Sequence, residues 1–427
     1  MRVGESFCPG ILHAVQAKDG LLTRVRVPGG MITPSQLVAV AELSASFADG
    51  QVEITSRSNL QLRAIQQQDL NSVIQGLDFA GFLPSPEHDR VRNIVTSPFA
   101  GLGLGEIIDT RPFVQKLDRR LIADQVLAAL PPKFSFSIDG GGDWFARDSD
   151  DLTLRVVSLD KTHSFQFVIG DTLSGFCVRI DEALDCVLEA AKICLKISKE
   201  FQIPARGKKI ASVPQALDRL LDGLSSFLVA CPSPDSSTLV AHMPVGVYAT
   251  HQSDFASLVP LVPLGRLTAE QVQRIAVVAK ECDGDIRLAP WRGVVLAAVP
   301  KRSISQITER LEAASLSFDA KDGYRGIAAC AGSSGCDASL ADVRRDASSL
   351  VRRVAGRNAK PGWTVNISGC EKQCAMRNGA TAELIASSSG YGLRINGQLI
   401  ASNCSLDSAI DKVVAACQAE EPFEVHL

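Results

Sequence analysis

Four cysteines stand in two small-residue segments late in this 427-residue chain: Cys330 and Cys336 in "CAGSSGC", and Cys370 and Cys374 in "GCEKQC". Five residues separate the first pair and three the second. Thiolates so spaced can converge on a metal or a cluster, because glycine and serine let backbone N–H groups approach sulfur and moderate its charge. Zinc competes for such ligands, but its knuckles usually hold about two to four intervening residues. A spacer of five is long for zinc, so the pattern favours an iron–sulfur cluster, with zinc as the competing reading. Four buried structural thiols would not need glycines beside both pairs.

The other eight cysteines, Cys8, Cys177, Cys186, Cys194, Cys231, Cys282, Cys404 and Cys417, are scattered. Several sit in apolar company, as in "DCVLEAAKICLKI", and read as packed thiols. The N-terminus, "MRVGESFCPG", has no apolar signal core, so reduced thiols in a soluble, cytoplasmic protein are expected. His13 follows Cys8 by five positions and reads as a surface histidine beside a packed cysteine, not as a metal pair. A net charge of −3 gives no footprint for nucleic acid, and no apolar run reaches bilayer length.

The elements that must position the sulfurs come in two copies, offset by about 235 residues. "RVRVPGGMITPSQ" at 24–36 matches "VPLVPLGRLTAEQ" at 259–271. Each ends in Thr-x-x-Gln before an apolar periodic run, the signature of a capping box opening an amphipathic helix. A strand follows each helix and ends near an arginine, Arg57 or Arg292. Further on, "PKFSFSIDG" (132–140) matches "PGWTVNISG" (361–369). Helices are expected at 117–130, 181–201, 339–355 and 407–417.

The copies differ where chemistry is concerned. In "SNLQLRAI", alternation puts Asn59, Gln61 and Arg63 on one face and Leu60 and Leu62 on the other. Counted from Arg292, the second copy has Val294, Leu296 and Ala298 at the matching polar positions. Only the second copy has cysteines after its matched strand. Each half therefore contributes something different to one shared site.

The cysteine spacing, together with "RVRVPGG", "ITSRSNLQLR", "VRNIVTSP" and "LPPKF" in this order, resembles the nitrite and sulfite reductase hemoprotein family along nearly the whole chain. The resemblance implies an α/β (α+β), internally duplicated fold with a pseudo-twofold, each half a ferredoxin-like strand–helix–strand unit plus a larger α/β unit. The expected boundaries are 1–70 and 71–204 for the first copy, a connector at 205–240, then 241–310 and 311–427 for the second. It implies that Cys330, Cys336, Cys370 and Cys374 hold a [4Fe–4S] cluster. It places Arg24, Arg92 and Lys133 at basic positions facing the small reactant, and Arg57, Gln61 and Arg63 at positions that grip tetrapyrrole carboxylates. Guanidinium forks suit such carboxylates because they bind them bidentately.

Two departures matter. Sulfite reductases carry a second lysine two residues after the one matched by Lys133; here Ser135 stands there. "CPGILHAVQAKDGLLTRVRVPGG" and "RNIVTSPFAGLGLGEIIDTRP" resemble the precorrin-3B synthase branch of the superfamily. That branch implies a monooxygenase acting on precorrin-3A and dioxygen, with a mononuclear non-haem iron besides the cluster. Its reaction is hydroxylation at C20 with γ-lactone closure, in aerobic cobalamin synthesis. No two-His-one-carboxylate set marks the second iron. "GLGLG" lacks the spacing of a nucleotide loop, and without a Rossmann or flavin signature electrons must come from a separate donor protein. The alternatives are an assimilatory nitrite or sulfite reductase that retains sirohaem, and a non-catalytic iron–sulfur or zinc protein.

Overall fold

The computed structural model describes residues 8–142, 150–159, 162–231, 243–357, 362–376 and 379–417. The first half contributes β1 (Val15–Ala17), β2 (Gly20–Val25), β3 (Met31–Ile32), α1 (Pro34–Phe47), β4 (Gln51–Ile54), β5 (Leu60–Ile65) and α2 (Leu70–Phe79). Its larger unit holds β6 (Asn93–Thr96), α3 (Arg111–Ala123), β7 (Ser135–Asp139), β8 (Leu152–Leu159), β9 (Thr162–Ile169), β10 (Thr172–Arg179), α4 (Ala183–Glu200), α5 (Gly207–Ala211), α6 (Pro214–Gly223) and β11 (Leu228–Ala230). The second half repeats the plan. Its smaller unit is β12 (Gly246–Ala249), β13 (Phe255–Val259), β14 (Arg266–Thr268), α7 (Ala269–Glu281), β15 (Asp285–Ala289), β16 (Gly293–Pro300) and α8 (Ile304–Glu312). Its larger unit is β17 (Ile327–Ala329), α9 (Gly332–Gly335), α10 (Val343–Val354), β18 (Val365–Ser368), β19 (Ala382–Ser387), β20 (Gly390–Ile395), β21 (Gln398–Cys404) and α11 (Leu406–Cys417).

Both Thr-x-x-Gln signatures are capping boxes. Thr33 and Thr268 accept from the backbone N–H of Gln36 and Gln271, whose side chains return the bond. The helices they start, α1 and α7, pack on each other over one core that includes Leu37, Val40, Leu62, Val272, Ile275 and Leu296. The two small sheets, ordered β1-β2-β5-β4-β14 and β12-β13-β16-β15-β3, each borrow an edge strand from the other half. β14 lies antiparallel to β4 with Leu267 opposite Val52, and β3 to β15 with Ile32 opposite Ile286. The exchange pairs edge backbone that would otherwise stand open.

The large sheets, β11-β10-β9-β8-β7-β6 and β17-β18-β19-β20-β21, also match. In each, the first three strands in chain order are parallel and the rest antiparallel. The matched sequences 132–140 and 361–369 supply β7 and β18, the middle parallel strand of each. Residues 207–223, within the stretch expected as a connector, form α5 and α6 and bury Ile210, Ala216 and Leu220 in the first half's larger core.

The equivalence of the two polar-strand segments needs one correction. Ser58 donates its N–H to Thr55 O at 3.0 Å, and Arg292 donates to Ala289 O at 2.9 Å. Ser58 and Arg292 both turn with positive φ, 54° and 64°. Arg292 is thus the twin of Ser58, and Trp291 the twin of Arg57. The offset drops from 235 to 234 because α7 has 13 residues where α1 has 14. Val294 and Leu296 consequently share the core with Leu60 and Leu62, while Val295 and Ala297 occupy the face where Gln61 and Arg63 stand. A slip of one residue exchanges whole faces of a strand. The contrast between a polar and a hydrocarbon face exists, but between different residues than a gap-free match selects.

Candidate functional site

Cys330 directly follows β17, and Cys370 follows β18 by two residues. The strands run parallel with Ala329 opposite Ile367, so both cysteine segments leave the same carboxyl-terminal edge. Open α/β sheets present ligand-binding loops at that edge. The two segments are laced together. Gly369 directs its N–H at Cys330 Sγ (3.4 Å), and Leu340 donates its N–H to Gly369 O at 2.8 Å. Gly369 has no room for a side chain, since a Cβ would meet Ser339 Oγ at 1.8 Å. Gln373, at φ 45°, turns the second segment so that its N–H returns to Cys370 O at 3.3 Å.

All four thiols are free; Cys374 is exposed and the others partly so. Among the described residues no three His, Cys, Asp or Glu side chains stand close enough to hold a metal ion, so these cysteines share an edge without forming a closed ligand set. The donor chemistry fits an iron–sulfur cluster: four unbridged thiols on two facing loops, with a backbone N–H already aimed at sulfur.

The polar face of β2, β4 and β5 carries a chain of bonds. Arg24 donates to Gln61 Oε1 at 2.9 Å, and Gln61 donates to Glu53 Oε2 at 2.6 Å. Glu53 Oε1 accepts from Arg344 on α10 at 2.6 Å and stands 3.2 Å from Arg266 of β14. Arg63 grips Asp19 through both carboxylate oxygens, at 2.9 and 3.0 Å, and donates to Gly335 O at 2.6 Å, inside the Cys330–Cys336 segment. Lys18 reaches Ser333 O in the same segment at 2.7 Å. The first half's polar strands are therefore the floor beneath the second half's cysteines.

Arg292 completes this neighbourhood. It donates to Ala375 O at 2.5 Å and approaches Cys374 O at 3.4 Å. Burial pushes its guanidinium below the ordinary arginine value; Glu53 and the thiols of Cys374 and Cys330 oppose that, and Arg24 adds to it. One arginine thus interacts electrostatically with Arg24 of β2, Glu53 of β4 and one cysteine of each pair.

The pseudo-twofold creates a second, equivalent place, and it is closed. There Phe99 and Leu102, from the loop after β6, pack on Val295 and Ala297 of β16. Phe99 stacks on Trp291 (centroids 6.2 Å apart) and meets Tyr248 edge-on at 5.8 Å. Hydrocarbon and aromatic rings stand there where the polar twin has Gln61 and Arg63.

The predicted site residues divide accordingly. Arg24, Gln61 and Arg63 lie on the floor with the four cysteines. Lys133 adjoins it: the carbonyl of the preceding Pro132 lies 3.5 Å from Arg26 Nη2 and 3.8 Å from Cys8 Sγ, and Cys8 lies 3.9 Å from Arg24 Nη1. Arg57 instead faces its own half, with Nε 3.9 Å from Asp150. Arg92 is buried and fully engaged, bidentate to Asp118 at 2.8 and 2.7 Å and donating to Phe82 O at 3.2 Å. Cys8 and His13 part company: Cys8 meets two arginines, while His13 Nδ1 lies 3.2 Å from Asp89.

The sequence reading missed Glu53, Arg344, Arg266 and Arg292. Glu53 had a signal, a lone charge alternating between the core residues Val52 and Ile54. It also missed Arg26, which is 2% exposed, with Nε and Nη1 lacking a hydrogen-bond partner among the described residues. Burial, then Arg24, push it down to about 10. A buried, incompletely bonded cation is costly and suits an anionic guest.

A family model described as the nitrite/sulfite reductase ferredoxin-like half domain matches residues 13–80 and 248–314, the two halves of the exchanged-sheet core. A precorrin-3B synthase from Sinorhizobium is 29% identical over 91% of this chain and 82% of its own length. A ferredoxin–nitrite reductase from Synechococcus elongatus is 26% identical over 92% of this chain and 80% of its own. The solved NirA protein of Mycobacterium tuberculosis superposes with a TM-score of 0.78, covering 94% of this chain and 82% of that one at 20% identity, a likeness of fold. No helix among the described residues is long and apolar enough to cross a membrane.

Proposed function

We propose that this chain, which belongs to the nitrite and sulfite reductase superfamily, is a precorrin-3B synthase, an oxidoreductase that hydroxylates precorrin-3A at C20 with closure of a γ-lactone. The observation that carries the reading is the polar floor of Arg24, Gln61 and Arg63 beneath the cysteine edge, on a chain similar to a precorrin-3B synthase over nine-tenths of its length. The departure from the sulfite reductase pattern also fits: Ser135 is buried in β7, where its N–H donates to Asp151, and adds no second cation.

In this reading the floor binds a macrocycle rich in carboxylates. Arg24 and Lys133 attract the anionic edge, and Gln61 holds the Arg24 fork in place against Glu53. Arg63 ties the floor to the cysteine segment through Gly335, so substrate position and cluster position are fixed by one side chain. Cys330, Cys336, Cys370 and Cys374 would hold a [4Fe–4S] cluster. When bound, that cluster supplies single electrons and a mononuclear iron supplies the dioxygen chemistry. Electrons come from a separate donor protein. Arg92, locked to Asp118, serves the fold and not the reactant.

The test is anaerobic purification with iron and sulfide analysis, then reaction with precorrin-3A and labelled dioxygen. The expected result is cluster absorption without a Soret band, and a product carrying one labelled oxygen atom. A bound sirohaem with an intense Soret band, and turnover of nitrite or sulfite, would instead make this a reductase. That second reading is favoured by the similarity to ferredoxin–nitrite reductase over 92% of the chain. Cys374→Ser should lose iron and labile sulfide under either reading; unchanged contents would remove the ligand assignment.

A further inference from the structure

Arg292 stands where its backbone is strained. At φ 64° it occupies the left-handed region, which is costly for a non-glycine residue. Its twin, Ser58, turns the same way but reaches nothing outside its own hairpin by hydrogen bond among the described residues. Arg292 instead runs over Gly265, where a Cβ would meet its own Cβ at 2.8 Å and its Cδ at 3.1 Å. Only the bare backbone at Gly265 leaves that path open. At the end of it, Nη2 meets the carbonyls of Cys374 and Ala375. No carboxylate lies within ion-pair distance of Arg292 among the described residues. The positive φ and the bare glycine recur in the twin, where a Cβ at Gly30 would meet Ser58 Cβ at 3.0 Å, so they belong to the turn. The reach of Nη2 to two carbonyls is particular to Arg292 and brings a cation to the second cysteine pair.

We infer that Arg292 is a positioning residue for the cluster: it fixes the carbonyls that follow Cys374 and sets a positive charge beside that thiolate. The inference rests on the reading that the four cysteines hold an iron–sulfur cluster. A fixed cation favours the more negative, reduced state of a cluster, and anchoring the segment slows the loss of iron.

The experiment is anaerobic reconstitution of the full chain and of Arg292→Gln, Arg292→Lys and Arg292→Gly. Each is followed by an EPR-monitored redox titration and by the rate of cluster loss to a chelator. The expected result for Arg292→Gln is a midpoint potential shifted to more negative values and cluster loss about 10–100-fold faster, the usual effect of removing an outer-shell partner. Arg292→Lys should recover most of the potential and less of the retention, because it keeps the charge and loses the fork. Arg292→Gly relieves the positive φ, so its thermal stability should equal or exceed that of the parent while its cluster is lost as fast as in Arg292→Gln. Clusters in Arg292→Gly and Arg292→Gln with parental potential and retention would overturn the inference. Failure of the parent chain to take up a cluster would overturn the underlying reading as well, and the two failures are distinguished by the parent's spectrum alone.

Discussion

At the scale of single residues, charge alone does not distinguish a ligand-facing arginine from a structural one; its partners do. Arg92 and Arg63 both make bidentate pairs, but Arg92 closes on its own half while Arg63 crosses to the cysteine segment. Removing one partner of a buried pair costs about 3–5 kcal/mol. Arg92→Ala should therefore lower stability by about 3 kcal/mol in a denaturant titration and leave tetrapyrrole affinity, measured on the folded fraction, unchanged. Arg63→Ala should lower both. Arg57 is a third exposed and lies 3.9 Å from Asp150, so its pair contributes under about 1 kcal/mol. Any loss of tetrapyrrole binding in Arg57→Ala then reports on recognition directly, and retained affinity would take Arg57 off the cradle. The resemblance placed Arg92 among the positions facing the small reactant and Arg57 and Arg63 among those gripping the tetrapyrrole. Only their bonds separate them.

At the scale of elements, the loop after β6 shows what duplication did with its spare copy. It seals the twin site with Phe99 and Leu102 and keeps Glu106 half-buried beneath it, accepting from Gly101 N–H at 2.6 Å. Burial, then the neighbouring Asp109, raise Glu106 to about 7, against the pull of Gly101, Arg111 and Arg287. The folded chain thus binds a proton that the unfolded chain releases near 4.5, and the stability this contributes is full below 4.5 and is lost as pH rises through about 7. Melting temperature should fall across that window in the parent and fall less in Glu106→Gln. Equal slopes would mean the loop does not hold its carboxyl as described. The matched strands β7 and β18 were legible because alternation and a terminal glycine survive without knowledge of their partners. The register of β16 was not, because one residue lost from α7 leaves the composition unchanged and turns every side chain of the next strand over.

At the scale of the whole molecule, the halves are joined by exchange. β3 completes the second half's sheet, β14 completes the first's, and α1 packs on α7 over a common core. A first half expressed alone should therefore be insoluble or unfolded, and co-expression with the second half should restore a soluble complex; two independently folded halves would contradict the exchange. By itself the sequence determined the duplication, the capping boxes, the four cysteines and the polar strand, because each is written in local spacing and alternation. Tertiary structure alone decided which half's floor lies beneath which half's cysteines, that Arg92 pairs with Asp118, and that Glu53, Arg344 and Arg292 meet the floor or the cysteine segments. Those contacts join residues up to 315 positions apart, and no local pattern encodes a pairing made only when two sheets exchange edges.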